Sequence, residues 1–173
     1  TEPSSRISTD PNFRYSWYAR LFFANQRRRY GKELEPARLW ARTPKVFAAL
    51  SLLYGALDRR RSPIEPALRS LITVRVSQIN WCAFCVDINS ATGLKRGISD
   101  AQLAALPEFA TSPLFDERQK AALAYAEAIT RTDVGVDDAL MARVKACFDD
   151  NAVIELTALI AFQNMSSKFN AAL

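Results

Sequence analysis

Histidine is absent from this 173-residue sequence, cysteine occurs three times and glycine only five. The missing histidine removes the commonest metal-binding side chain and the one side chain that ordinarily titrates near neutral pH. Three cysteines are too few for a disulfide scaffold, so the chain must rely on a buried core. No stretch of eighteen apolar residues is present to span a bilayer, and there is neither a collagen-like period nor a low-complexity tract. No secretory signal is visible, although the chain starts with threonine and not methionine, which leaves room for a processed leader. These absences describe a soluble globular protein without a membrane partner.

Hydrophobic residues make up 49% of the chain, enough for one sizeable core at the usual size of a single domain. We take residues 13–173 as that domain. Residues 1–12, polar with two prolines and three serines, read as a flexible arm. No run alternates strictly between apolar and polar over six or more residues, whereas helical spacing recurs throughout, so the fold class is all-α. The formal charge of +5 collects in Arg27-Arg28-Arg29 and Arg59-Arg60-Arg61. Each run sits at an expected helix end, where cations complement the macrodipole. No aromatic-interleaved patch accompanies them, so nucleic acid is not an expected partner.

Tyr15, Tyr18, Leu21, Phe22 and Asn25 space a first helix from Phe13 to about Tyr30, with Gly31 just past its end. After a short turn over Pro36 to Arg42, Thr43-Pro44 reads as an N-cap followed by proline at the first helical position. That helix carries Val46, Phe47, Leu50, Leu53, Tyr54 and Leu57. Ser62-Pro63-Ile64-Glu65 has the form of a capping box and predicts a helix from Pro63 to about Ile79. Asn80 interrupts it and is placed to cap its successor, from Trp81-Cys82 to Lys95-Arg96-Gly97. Ser99-x-x-Gln102 caps a short helix to Leu106, and Asp116-x-x-Gln119 caps a longer one through Ile129. Two more run over about 137–148 and 151–173. Several helices, notably Val153 to Phe162, are apolar on more than one side and need neighbouring elements or subunits to cover them.

Chemistry concentrates in Cys82-Ala83-Phe84-Cys85. With both cysteines in the first turn of a helix, the sulfurs share one face and can close a small disulfide ring. First-turn amides carry partial positive charge and favour thiolate over thiol. A thiolate converted by peroxide to sulfenic acid is rescued as a disulfide by a second thiol within reach. The same spacing also fits half of a zinc site, or two cysteines that only pack. Zinc needs four ligands, yet the chain has no second CxxC and one other cysteine, Cys147, which reads as buried and inert. A thioredoxin fold needs strands before the motif, where Leu68 to Ile79 reads as a helix. No metal and no cofactor are expected, and a dithiol of this kind suits a reducing, cytoplasmic setting.

The stretch Leu68 to Asn89, with Ser77-Gln78-Ile79-Asn80 leading into Cys82-Ala83-Phe84-Cys85, resembles the signature of the alkylhydroperoxidase D / carboxymuconolactone decarboxylase superfamily. Phe115-Asp116-Glu117-Arg118 and a last helix with Val153-Ile154-Glu155-Leu156, Asn164 and Asn170 are similar too, so the resemblance covers about residues 40–173. It implies a bundle of about seven to eight helices, assembled as a trimer or hexamer, that reduces hydroperoxides and is recharged by a lipoylated or other thiol reductant protein. By the same resemblance Cys85 is the peroxidatic residue and Cys82 the resolving, more exposed one. The family's relay glutamate and histidine fall on Ser70 and Asn89, neither of which titrates near neutral pH. Asn89, one turn beyond Cys85, can still donate a hydrogen bond to its sulfur. Glu65 and Asp87 are substitute bases by position, though a capping role and a helix-start charge account for them as well. The family's decarboxylase chemistry leans on histidine, which is absent. The resulting expectation is a thiol-dependent peroxidase; the alternative is a redox-responsive assembly or binding protein with negligible turnover.

Overall fold

The computed structural model describes residues 6, 7, 10 and 12–173. Most of the segment read as a flexible arm therefore lies outside the described residues. Nine α-helices and one 3-10 turn form among them, with no strand. Two of the helices are six-residue pieces, leaving seven longer ones. Contacts gather into two compact units: the first runs to Ala56 and includes Leu173, and the second is Leu57–Ala172.

The first unit holds α1 (Trp17–Tyr30), α2 (Glu35–Trp40) and α3 (Pro44–Leu57) up to Ala56. α1 starts at Trp17, later than Phe13, because Ser16 caps it by accepting from the Ala19 N–H at 3.4 Å. It ends where expected, at Gly31 with φ 75°, and Arg27, Arg28 and Arg29 fill its last turn. Phe47 of α3 meets Phe22 edge-on at 5.2 Å, and the Tyr18 hydroxyl donates to the Pro44 carbonyl at 2.6 Å. The expected side-chain cap at Thr43 is not made. Its hydroxyl donates instead to the Trp40 carbonyl at 3.0 Å.

The second unit is arranged around α4 (Pro66–Ile79), which packs against α5 (Ala83–Lys95), α7 (Glu117–Thr130) and α9 (Asp150–Ala172). α6 (Asp100–Ala105) leads into the 3-10 turn Leu106–Glu108, and α8 (Asp138–Cys147) lies on α7 and α9. α4 is buried on nearly every side, including Leu68, Leu71, Ile72, Val74 and Val76, which explains its lack of a polar stripe. Leu71 and Val74 close a cluster with Ile98, Leu106, Phe109, Phe115 and Leu123. α5 reaches α4 closely through Gly93, where a Cβ would stand 3.0 Å from the Ile98 side chain and 3.4 Å from Ser70 Cβ.

α4 begins at Pro66 rather than Pro63 because the residue before a proline is kept out of the helical region, leaving Glu65 extended as N-cap. Ser62 makes a local turn to the Ile64 N–H at 3.2 Å, and Glu65 pairs with Arg118 at 3.2 Å. Both later capping boxes form as read, at Ser99 with Gln102 and at Asp116 with Gln119. Arg118 also donates to the Cys147 carbonyl and lies 3.9 Å from the centre of the Phe148 ring, fastening the ends of α4, α7 and α8 together. Cys147 is a free thiol, half-buried where full burial was expected. Within α9, Val153, Leu156, Leu159, Ile160 and Phe162 are covered, whereas Ile154 is exposed. No helix among the described residues is long and apolar enough to cross a membrane.

Candidate functional site

The break between α4 and α5 places the two cysteines. α4 closes in a Schellman turn, in which the Trp81 N–H bonds the Gln78 carbonyl at 3.2 Å and the Cys82 N–H bonds the Ser77 carbonyl at 3.1 Å. Such a turn needs one left-handed residue, usually glycine; here it is Trp81, at φ 57°. The chain then enters α5 with Cys82 as N-cap, its Sγ accepting from the Cys85 N–H at 3.2 Å. The sequence assigned that cap to Asn80. The Asn80 amide instead turns toward α9, donating to Asn164 Oδ1 at 2.9 Å and Ser167 Oγ at 2.8 Å.

Cys82 and Cys85 are joined as a disulfide, with their Cα atoms 5.2 Å apart. Both are buried, at 3% and 2% exposure, so burial does not rank Cys82 as the more accessible sulfur within one chain. Trp81 beside them is 90% exposed. Each sulfur has its own donor: the backbone N–H for Cys82, and for Cys85 the Asn170 carboxamide of α9, Nδ2 to Sγ 3.3 Å.

Asn170 belongs to a polar face of α9 made by Gln163, Asn164, Ser167 and Asn170. Gln163 donates to Ser77 Oγ at 2.9 Å, and Asn164 donates to Thr130 Oγ1 at 2.9 Å. Ser77 and Ser167 are fully buried, and each hydroxyl also donates to a carbonyl one turn back. Every buried hydroxyl here has a partner, as a polar network inside a core requires. Sequence reasoning named Asn164 and Asn170 only as part of a resemblance. The available signal was the spacing of Gln163, Asn164, Ser167 and Asn170, which puts four uncharged polar residues on one face of a helix.

The other candidates make no hydrogen bond to either sulfur among the described residues. Ser70, 2% exposed, accepts from Arg96 Nη1 at 3.3 Å and adjoins Gly93, about 12 Å of helix rise beyond Cys85 along α5. Arg96 in turn grips Asp58 with two 2.8 Å bonds, and Arg69 shares that carboxylate at 3.1 Å. Ser70 is thus part of an arginine–aspartate cluster. Asn89 is half-buried one turn after Cys85 and bonds neither sulfur among the described residues. Glu65 is engaged by Arg118, and Asp87 is exposed on α5. No three metal-ligating side chains cluster among the described residues.

The carboxymuconolactone decarboxylase family matches residues 44–128, a span that includes α4, the dithiol and most of α7. The uncharacterized protein YnjA of Escherichia coli is 46% identical over 147 residues, covering 85% of this chain and 81% of YnjA. An Agrobacterium tumefaciens protein of unknown function, described as an AhpD-type antioxidant defence protein, superposes with a TM-score of 0.70 at 27% identity, over 75% of this chain and 88% of its own. The debrominase Bmp8 shares the fold, with a TM-score of 0.78 at 22% identity over 90% of this chain and 83% of its own. On the family match, the relation to YnjA and the shared helical architecture, the chain belongs to the alkylhydroperoxidase D / carboxymuconolactone decarboxylase superfamily.

Proposed function

We propose that the chain is a thiol-dependent peroxidase in which Cys85 and Cys82 cycle between dithiol and disulfide. The observation that carries this reading is the bonded pair at the start of α5 with one hydrogen-bond donor at each sulfur. The Cys85 thiolate attacks the terminal oxygen of a hydroperoxide; an S–O bond forms, the O–O bond breaks, and the departing alkoxide takes a proton to become the alcohol. The Cys82 thiol then attacks the sulfenic sulfur, forming the S–S bond as water leaves. A dithiol reductant, of the lipoyl or a protein-thiol class, restores both thiols by exchange and departs as its own disulfide. One hydroperoxide and one dithiol give one alcohol, one water and one disulfide.

Without a titrating relay, the thiolate must be present before peroxide arrives. Loss of general-base help is worth roughly two to four decades of rate, which makes this a slow peroxidase beside relatives that keep the relay. Burial of both sulfurs favours one further reading, a redox-responsive assembly in which oxidation alters an interface without turnover. Steady-state consumption of hydrogen peroxide and of tert-butyl hydroperoxide, with dihydrolipoamide as donor, separates the two. Turnover that vanishes in Cys85→Ser and in Cys82→Ser supports the peroxidase. Stoichiometric oxidation with a change of particle size and no turnover supports the assembly. Bromide release from 2,3,4-tribromopyrrole, the ligand in a complex of the debrominase, with no peroxide consumed would move the substrate class elsewhere.

A further inference from the structure

We propose that Asn170 is a catalytic residue of the dithiol: its carboxamide holds the negative charge of the Cys85 thiolate and makes Cys85, rather than Cys82, the sulfur that meets an electrophile. The proposal rests on the redox reading above but concerns the charge state of one thiol, which can be measured without peroxide.

Cys85 is 2% exposed, and burial by itself disfavours a thiolate. Its own N–H is already spent on the Cys82 sulfur, at 3.2 Å. The donor that reaches Cys85 Sγ is Asn170 Nδ2, at 3.3 Å. A carboxamide has no proton to lose near neutral pH, so it can stabilise the anion but cannot act as the base. When the disulfide opens and charge settles on Cys85, this neutral contact becomes a charge-assisted hydrogen bond and strengthens.

The donor is also held in place. One turn before Asn170, Ser167 accepts from Asn80, the residue that closes α4 ahead of the Trp81-Cys82 turn. Two turns before it, Gln163 donates to Ser77, whose carbonyl receives the Cys82 N–H. α9 is therefore bonded to the same turn that sets the cysteines, which keeps Asn170 in register with Cys85. Cys82 has a backbone donor of its own, so the two thiols compete for one proton, and Asn170 tips the competition toward the Cys85 thiolate.

The test is the pH dependence of iodoacetamide alkylation in the reduced full-length protein, each cysteine being followed separately by peptide mass spectrometry. Asn170→Leu keeps the branched skeleton and removes the donor; Asn170→Asp keeps the shape and places a carboxylate against the sulfur. Alkylation of Cys85 at pH 7 should slow by about tenfold or more in the leucine variant and further in the aspartate variant. The pH of half-maximal rate should rise for Cys85 and not for Cys82, with the melting temperature little changed. An unaltered Cys85 profile in both variants, or equal shifts at both cysteines, would overturn the assignment, because a purely structural residue would affect the two thiols alike. A protein inactive toward peroxide that nonetheless showed the selective shift would sink the peroxidase reading and leave the role of Asn170 intact.

Discussion

Trp81 occupies a backbone position that glycine fills at less cost. A non-glycine residue in the left-handed region gives up about 1–2 kcal/mol, and the 90% exposed indole recovers little of it through packing. Trp81→Gly should therefore raise the unfolding free energy measured in urea, by up to about 1 kcal/mol once the added freedom of the unfolded chain is counted. A clear loss of stability would mean that the indole packs in a way its exposure conceals. Ser70 and Asn89 offer a second test at this scale. An imidazole in Asn89→His would sit one turn after Cys85 and should accelerate peroxide reduction. A carboxylate in Ser70→Glu would lie beside Arg96, already bonded to the serine hydroxyl, and be claimed by it. The double variant should then equal the product of the single effects in a peroxide assay, while a larger gain would show the two positions in contact. The cysteines were legible because CxxC at a helix start is a local pattern. Cys82 as its own cap was not, because the first-position Ala83 and the strained Trp81 acquire their roles only from the Schellman turn.

Among the elements, α9 brings the most to the site and was the least legible. Its polar residues matter through what α4 and α7 present to them, and sequence spacing does not say which helices meet. Removing Asn164 leaves Thr130 without its donor and deprives Asn80 of one of two acceptors. Asn164→Ala should cost about 1–3 kcal/mol in urea unfolding, a cost expected of buried polar groups left unpaired. A change below half a kilocalorie would mean that water replaces the amide there. The capping boxes of α6 and α7 were readable because each lies within four residues. The start of α4 lies three residues later than the box implies because Pro66 overrides it, and the need for glycine at 93 is set by Ile98 and Ser70, neither of which is a sequence neighbour that spacing would pair with it.

At the scale of the molecule, the all-α class was written in the periodicity, because helical spacing recurs along the chain and no run alternates as a strand would. Acid sensitivity is one property of the whole fold. The Arg59 hydrogen bond, opposed by partial burial, holds the Glu155 carboxyl below its ordinary range, with Ser62 assisting. A carboxyl lowered on folding stabilises above its unfolded value, and that contribution fades as pH falls through the folded one. Glu155→Gln should flatten the acid limb of the stability profile, and an unchanged limb would place the sensitivity elsewhere. Assembly is a second property. α3 exposes Val46, Leu52, Leu53 and Tyr54 with no charged residue after Lys45, and the family resemblance implies trimers or hexamers. Light scattering should find one of these, and a stable monomer at micromolar concentration would contradict it.

The most direct measurement is a single turnover. Reduced protein is mixed with one equivalent of tert-butyl hydroperoxide, and the alcohol formed is quantified alongside the mass of the peptide carrying Cys82 and Cys85. A redox dithiol acting on peroxide gives one alcohol per chain together with a loss of two daltons confined to that peptide. Two persistent thiols there, with oxidation at Cys147 or no alcohol at all, would contradict it.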